Sequence, residues 1–193
     1  THDHLLLFTD KGRVYYKKVF ELPEGARTAK GRAIVNVLDL QDGEQVVAML
    51  PFKEFREDTS VVFATRSGTV KKTELSAFEN VRQSGIRAIT IEDGDRLVGA
   101  SLVTKADDVL LASAKGYAVR FTEERVRAMG RNAAGVRGIS LRDGDKLVGM
   151  STFPRSIDTS ESATFITVCE RGYGKRTKLA DYPTKNRGGK GVI

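Results

Sequence analysis

The sequence has no tryptophan, one cysteine, two histidines and four prolines in 193 residues, and each shortage removes a class of protein. One cysteine cannot form an internal disulfide, which fits a reducing compartment. Cys169 lies in the strand-like run from Thr164, so it reads as a small packed residue and not as a nucleophile. His2 and His4 flank Asp3 at the very start, where a frayed terminus is expected in preference to a metal site. No apolar run approaches the roughly 20 residues needed to span a bilayer. No signal-peptide pattern opens the chain, so no membrane partner is expected. The first residue is Thr1, with no initiator Met, and the chain reads as a fragment of something longer.

Catalytic signatures are missing too. There is no Gly-x-Ser-x-Gly elbow. The stretch Gly172-Tyr-Gly-Lys175-Arg176-Thr177 has the wrong spacing before its lysine for a P-loop, and no helix is expected to follow it. Tyr15, Tyr16, Tyr117, Tyr173 and Tyr182 are explained by strand packing. No catalytic residue, metal site or cofactor is assigned, and the chain reads as a binding module. Aromatics make up only 7% of it, so stacking on splayed single-stranded bases is not favoured. Nothing reads as a recognition helix with a base-contacting face.

What the chain does have is positive charge and repetition. Its 32 Lys+Arg against 25 Asp+Glu give a net charge of +7 and a pI near 9.6, which favours an anionic partner. Four stretches share one pattern: an apolar run, a few polar residues ending in glycine, then a second strand-like run. Their glycines are Gly12, Gly68, Gly116 and Gly172, and each stretch is a predicted β-hairpin. A second anchor recurs at Gly31, Gly85, Gly135 and Gly191, followed by small and apolar residues. A third, read as another hairpin turn, is Asp42-Gly43, Asp93-Gly94 and Asp143-Gly144, each before an apolar strand. The third anchor steps by 51 and 50 residues and the first by 56, 48 and 56. A period near 50 with about four strands per unit indicates a propeller-like or solenoid all-β architecture. Each unit has an apolar sheet face that only a neighbour can cover. The predicted organisation is one domain, 1–193, with units of approximately 1–55, 56–104, 105–155 and a partial 156–193. Helical signal is slight: about two turns over Thr122–Met129 and one over Ser76–Val81.

Charge follows the repeat. Lys11 to Arg32, Lys115 to Arg137 and Arg171 to Lys190 are dominated by basic residues, whereas the stretches around the Asp-Gly turns are acidic. Units in a constant orientation would fuse the basic segments into one band and gather the acidic turns on a different rim. The most conspicuous segment is Lys185-Asn-Arg187-Gly-Gly-Lys190-Gly191, where glycines let the backbone approach a ligand closely among cations. Duplex DNA held by its phosphates with little sequence preference suits such a band.

The order and spacing of several motifs resemble one family. They are Thr1-His-Asp-His4, Lys11-Gly-Arg-Val14, Arg27-Thr-Ala-Lys-Gly-Arg32, Thr69-Val-Lys-Lys-Thr73, Val126-Arg-Ala-Met-Gly130, Gly135-Val-Arg-Gly138 and Gly172-Tyr-Gly-Lys-Arg-Thr177. Nearly the whole chain is similar to the C-terminal DNA-wrapping domain of DNA gyrase A, with the corresponding domain of topoisomerase IV as the nearest relative. The resemblance implies a β-pinwheel, a ring or spiral of four-stranded blades that exchange strands, incomplete in this chain. It implies chiral wrapping of double-stranded DNA on a basic outer rim, in a cytoplasmic, nucleoid-associated, negatively supercoiling enzyme. It places strand cleavage elsewhere in the gyrase A polypeptide, and ATP hydrolysis, with Mg2+, outside this chain. The expected partners besides DNA are the rest of gyrase A and the gyrase B protein. The family's Gln-Arg-Arg-Gly-Gly-Lys-Gly box belongs to its first blade, expected upstream of Thr1, and the nearest match here is Lys185 to Gly191 in the fourth unit. Expected DNA contacts are Arg13, Lys17, Lys18, Arg27, Lys30, Arg32, Lys71, Lys72, Arg82, Arg120, Arg131, Arg137, Lys175, Arg176, Lys185, Arg187 and Lys190. The competing readings are a topoisomerase IV-type domain for substrate selection and a propeller-type protein-interaction scaffold.

Overall fold

The computed structural model describes residues 2–159 and 163–193. Each of the first three units opens with a hairpin, continues through a short 3-10 turn and an extended connection, and returns as a strand beside the hairpin's first strand. The first unit has β1 (His4–Thr9), β2 (Arg13–Lys18) and β3 (Val46–Phe52). The second has β4 (Ser60–Thr65), β5 (Thr69–Glu74), β6 (Ile86–Arg87) and β7 (Leu97–Val103). In the third come β8 (Asp107–Ser113), β9 (Ala118–Thr122), β10 (Val136–Arg137) and β11 (Leu147–Pro154). The fourth contributes the hairpin β12 (Thr164–Val168) and β13 (Gly174–Lys178).

The sheets do not respect those units. Their strand orders are β3-β1-β2-β6, β10-β5-β4-β7, β11-β8-β9 and β12-β13. Strand β6 closes the first sheet, pairing Arg87 with Arg13 and Ile86 with Val14. Strand β10 likewise pairs Val136 with Val70 and Arg137 with Thr69. At the third sheet the same place is taken by Val192, bridged to Ala118. Each of the first three blades is therefore completed by the next unit, the strand exchange that the pinwheel resemblance implied. At the hairpin tips Gly12, with φ 75°, takes the left-handed turn conformation that a Cβ disfavours.

Alternation along the strands explains the packing. Leu6, Phe8 and Val14 on one face of the first sheet meet Val61, Phe63, Leu75 and Phe78 of the second. Val62, Ala64 and Val70 on the opposite face meet Val109, Leu111, Val119 and Phe121 of the third. The second sheet is thus buried on both faces, which is why Val61 to Ala64 is an unbroken apolar run. The outer face of the first sheet, with Leu5, Leu7 and Tyr15, is covered by Leu38 from its own connection.

Several expectations need correction. Over Thr122–Met129 only Glu123–Arg125 is helical, as a 3-10 turn. Beyond it Met129 N–H donates to the Lys72 carbonyl at 2.8 Å, and pairing with the neighbouring blade outcompetes a local helix. In the second unit the turn runs over Leu75–Phe78, both of which are buried. The Asp-Gly turns are tight, but they do not join paired strands: the strand after each returns to an earlier hairpin. Asp95 and Asp145 accept the backbone N–H groups of Ser67 and Lys115 at 3.0 Å, so the acidic turns sit on the hairpin tips. His4 is not frayed: it lies in β1, stacked on Phe52 with centroids 5.1 Å apart and 2.7 Å from the Tyr16 hydroxyl. Burial, and then Lys18 beside it, hold its imidazole below the ordinary value. Cys169 is exposed at the tip of the β12–β13 hairpin, where its N–H donates to the Tyr173 carbonyl.

Candidate nucleic-acid interface

The connections of the second, third and fourth units lie along the second hairpin strand of the preceding blade. In the third unit Gly138 N–H donates to the Gly68 carbonyl at 2.8 Å. Gly135, with φ 108°, passes so close to that strand that a Cβ would stand 2.5 Å from the Val70 carbonyl oxygen. The fourth unit repeats this on β9, with Lys185 N–H to the Arg120 carbonyl at 2.8 Å and Val192 N–H to the Ala118 carbonyl at 2.9 Å. In the second unit Ala88 N–H donates to the Gly12 carbonyl at 2.8 Å. Loops 82–87, 131–137 and 185–191 therefore hold equivalent places on successive blades.

These loops are also joined to one another. Thr90, just past the second unit's loop, donates through Oγ1 to the Asn132 carbonyl at 2.8 Å and through its N–H to that of Ala133 at 3.2 Å. Ser140, in the same place one unit later, donates to the carbonyls of Gly188 at 2.7 Å and Gly189 at 2.8 Å. Arg187 adds Nε to the Arg125 carbonyl at 2.8 Å and Nη1 to the Arg137 carbonyl at 3.1 Å. Most of these links run backbone to backbone or hydroxyl to backbone, leaving other cations of the loops outside them.

Arg82, Arg137, Lys185 and Lys190 are exposed on these loops. Arg131 and Arg187 are half-buried, and Arg187 spends its guanidinium on the neighbouring loop. Arg27, Lys30 and Arg32 are exposed on the first unit's connection, whose turn is closed locally by Ala29 N–H to the Ala26 carbonyl. Arg13 is half-buried and donates Nη2 to the Ser84 carbonyl at 2.6 Å. Lys17 and Lys18 are half-buried on β2, with the Lys18 amine 3.2 Å from His4 Nε2.

Two of the expected contacts lie away from the surface, and a third, Lys72, is half-buried in an ion pair. Lys71 is 0% exposed and Arg120 is 2% exposed. Arg120 pairs with Asp108 at 2.8 Å, and Lys72 pairs with Glu123 of the next unit. The physical reason is the strand exchange: β5 and β9 are covered by the following unit's connection, so cations there need internal partners. Lys175 and Arg176 hold the same repeat positions as Lys71 and Lys72; they are exposed, since among the described residues no later connection covers β13. Burial pushes the Lys71 amine from 10.5 down to about 8, with the nearby Arg131 charge acting in the same direction. At Asp95 burial acts upward, but bonds from Ser67, Thr65 and backbone N–H groups outweigh it and hold the carboxyl below its usual range.

Arg125 and Arg127, read as part of the basic band but not among the expected contacts, and Arg87, outside both, are exposed in these connections. Arg87 was findable, because it stands two residues after Gly85 as Arg137 does after Gly135. Among the described residues no helix is long and apolar enough to cross a membrane.

Strand-exchanged blades, packed face to face with cationic loops lying blade to blade, define a pinwheel-type propeller domain. The chain belongs to the DNA gyrase C-terminal domain, beta-propeller, family, whose model matches residues 3–53, 59–104, 107–154 and 165–193. It is 49% identical over 193 residues to the DNA gyrase A protein of Salmonella typhimurium, covering 100% of this chain and 21% of that protein. The chain thus spans about a fifth of the length of such a relative. Its fold is similar to the crystal structure of the C-terminal domain of DNA topoisomerase IV, with TM-score 0.87 and 32% identity over 100% of this chain and 58% of that one. It is also similar to the structure of the DNA gyrase A C-terminal domain, with TM-score 0.81 and 28% identity over 100% of this chain and 60% of that one.

Proposed function

We propose that this chain binds and chirally wraps duplex DNA along its linked basic loops, as one domain of a longer type IIA topoisomerase polypeptide that introduces negative supercoils. The observation that carries the reading is the hydrogen-bonded succession of loops 82–87, 131–137 and 185–191. These loops carry Arg82, Arg87, Arg137, Lys185 and Lys190, with Arg127 just before the second of them in the connection of its unit, all of them exposed. Backbone phosphates are the natural ligand, because these cations are arrayed along a path and not around a pocket. In that longer enzyme the other parts of the polypeptide supply strand cleavage, while a second, ATP-hydrolysing protein supplies energy.

Binding measured against salt tests the contact surface. Log K should fall linearly with log salt, by about 0.9 per phosphate neutralised, and the slope should shrink by about that much for each of R87Q, R127Q and R137Q. Salt-independent binding to one short site would refute the reading. Wrapping is tested separately by sealing nicked circular DNA on the bound protein; a linking-number change of one sign is expected, and no change under demonstrated binding removes the wrapping claim.

A further inference from the structure

We propose that Lys71 is a positioning residue, bridging two consecutive connections from beneath so that their loops present one rigid surface to DNA. The inference rests on the DNA-binding reading, yet Lys71 itself touches no DNA. Its side chain lies within the protein at 0% exposure. Its ammonium donates to the Ala88 carbonyl at 2.6 Å and to the Arg131 carbonyl at 2.6 Å, with the Phe63 ring 5.6 Å away. Ala88 belongs to the second unit's connection and Arg131 to the third's, so one group holds both.

The bridge is part of a larger clasp. With Thr90 donating to Asn132 and Ala133, three successive carbonyls of the 131–133 loop are held from the second unit. That fixes the loop's peptide planes and therefore the direction in which its cations leave the backbone. A buried cation is costly unless hydrogen-bonded, and an apolar residue would usually be more stable there. Its presence points to a job that packing alone does not do.

Comparison within the molecule supports this. The repeat equivalents of Lys71 are Tyr15, Val119 and Lys175, and Lys175 is exposed where, among the described residues, no later connection lies over it. Tyr15 donates to Glu44 of its own unit at 2.7 Å, and Val119 has nothing to donate. Where Val119 stands, Arg187, the equivalent of Arg131, spans the loops with its own guanidinium. At the Lys71 junction the bridge comes from below, which leaves the Arg131 guanidinium out of that role.

K71M is the direct test in the full chain, since methionine fills similar volume and removes the donors. Wild-type protein is first shown to bind DNA; if it holds none, both this inference and the reading it rests on are overturned. In free K71M, amide exchange at Thr90 and over residues 131–137 should quicken by about 10-fold, the signature of a locally loosened segment. Affinity for duplex DNA should fall by about 3- to 10-fold with the salt slope unchanged, because no phosphate contact is lost, and the trapped linking difference should shrink. K71Q, which keeps one donor group, should be intermediate. T90V, which removes only the bond to Asn132, should show the same pattern at about 2- to 3-fold and serves if K71M does not fold. Unchanged exchange and affinity in the variants would overturn the proposal while leaving DNA binding intact. A slope lowered by about 0.9 would overturn it differently, making Lys71 a phosphate contact.

Discussion

Replacing Asp108 by alanine should cost this domain about 3–5 kcal/mol, the loss expected when one partner of a buried ion pair is removed. The carboxylate is 0% exposed in β8 and serves more than one cation. Its Oδ2 accepts Arg120 Nε at 2.8 Å, with Arg120 Nη2 also at 2.8 Å. Its Oδ1 accepts Arg155 Nε at 3.0 Å. The Arg120 side chain is 1% exposed, so in D108A a buried guanidinium loses the Asp108 carboxylate. Arg155, at 44% exposure, turns to solvent and adds little. For a chain of this size 1 kcal/mol corresponds to about 2–4 °C, so Tm should fall by about 6–20 °C. Thermal and urea unfolding measure it, with E124A, at an exposed carboxylate, as the control. The apolar double variant D108L/R120M should recover most of the loss, because neither charge is then buried. A D108A loss below about 1 kcal/mol, or a double variant as poor as D108A, would refute the account of Arg120 as a structural cation.

G135A should destabilise by at least about 1–3 kcal/mol in urea unfolding, since it forces an alanine to φ 108° against the Val70 carbonyl. G130A, where an added Cβ meets nothing within 4 Å, should be near neutral, and equal effects would refute the close-approach argument. Lys71 predicts a pH dependence. Its folded pKa of about 8 lies below the ordinary 10.5, so the unfolded chain binds the extra proton between those values. Stability of wild type relative to K71M should therefore rise with pH across about 8 to 10.5, by up to about 3 kcal/mol, and be lost as pH falls through about 8. Urea midpoints in buffers from mildly acidic to alkaline check it; a flat difference would refute the buried-amine assignment.

Much of the fold was legible locally. The hairpin tips at Gly12, Gly68, Gly116 and Gly172 could be read because a left-handed turn selects glycine whatever surrounds it. By the same local logic Asp42-Gly43 looked like a hairpin, yet the strand after it returns to β1, far back along the chain. Thr122–Met129 carried a helix signal that pairing with Lys72 overrode. Local rules fail where hydrogen bonds cross between blades. Of the candidate site, the run of basic loops was legible from period and charge, and Arg87 was missed only because its register with Arg137 went unused.

The sequence by itself determined the period, the all-β character, the excess of cations and their place within each repeat. These depend on residue type and spacing alone. Only the tertiary structure decided which cations reach solvent. Lys72, Arg120 and Arg176 hold one position in the repeat, and they are paired to the next unit's Glu123, paired within its own unit to Asp108, and exposed, respectively. What separates them is whether another unit's connection lies across the strand and which acid stands nearby, and no spacing within a single repeat encodes that.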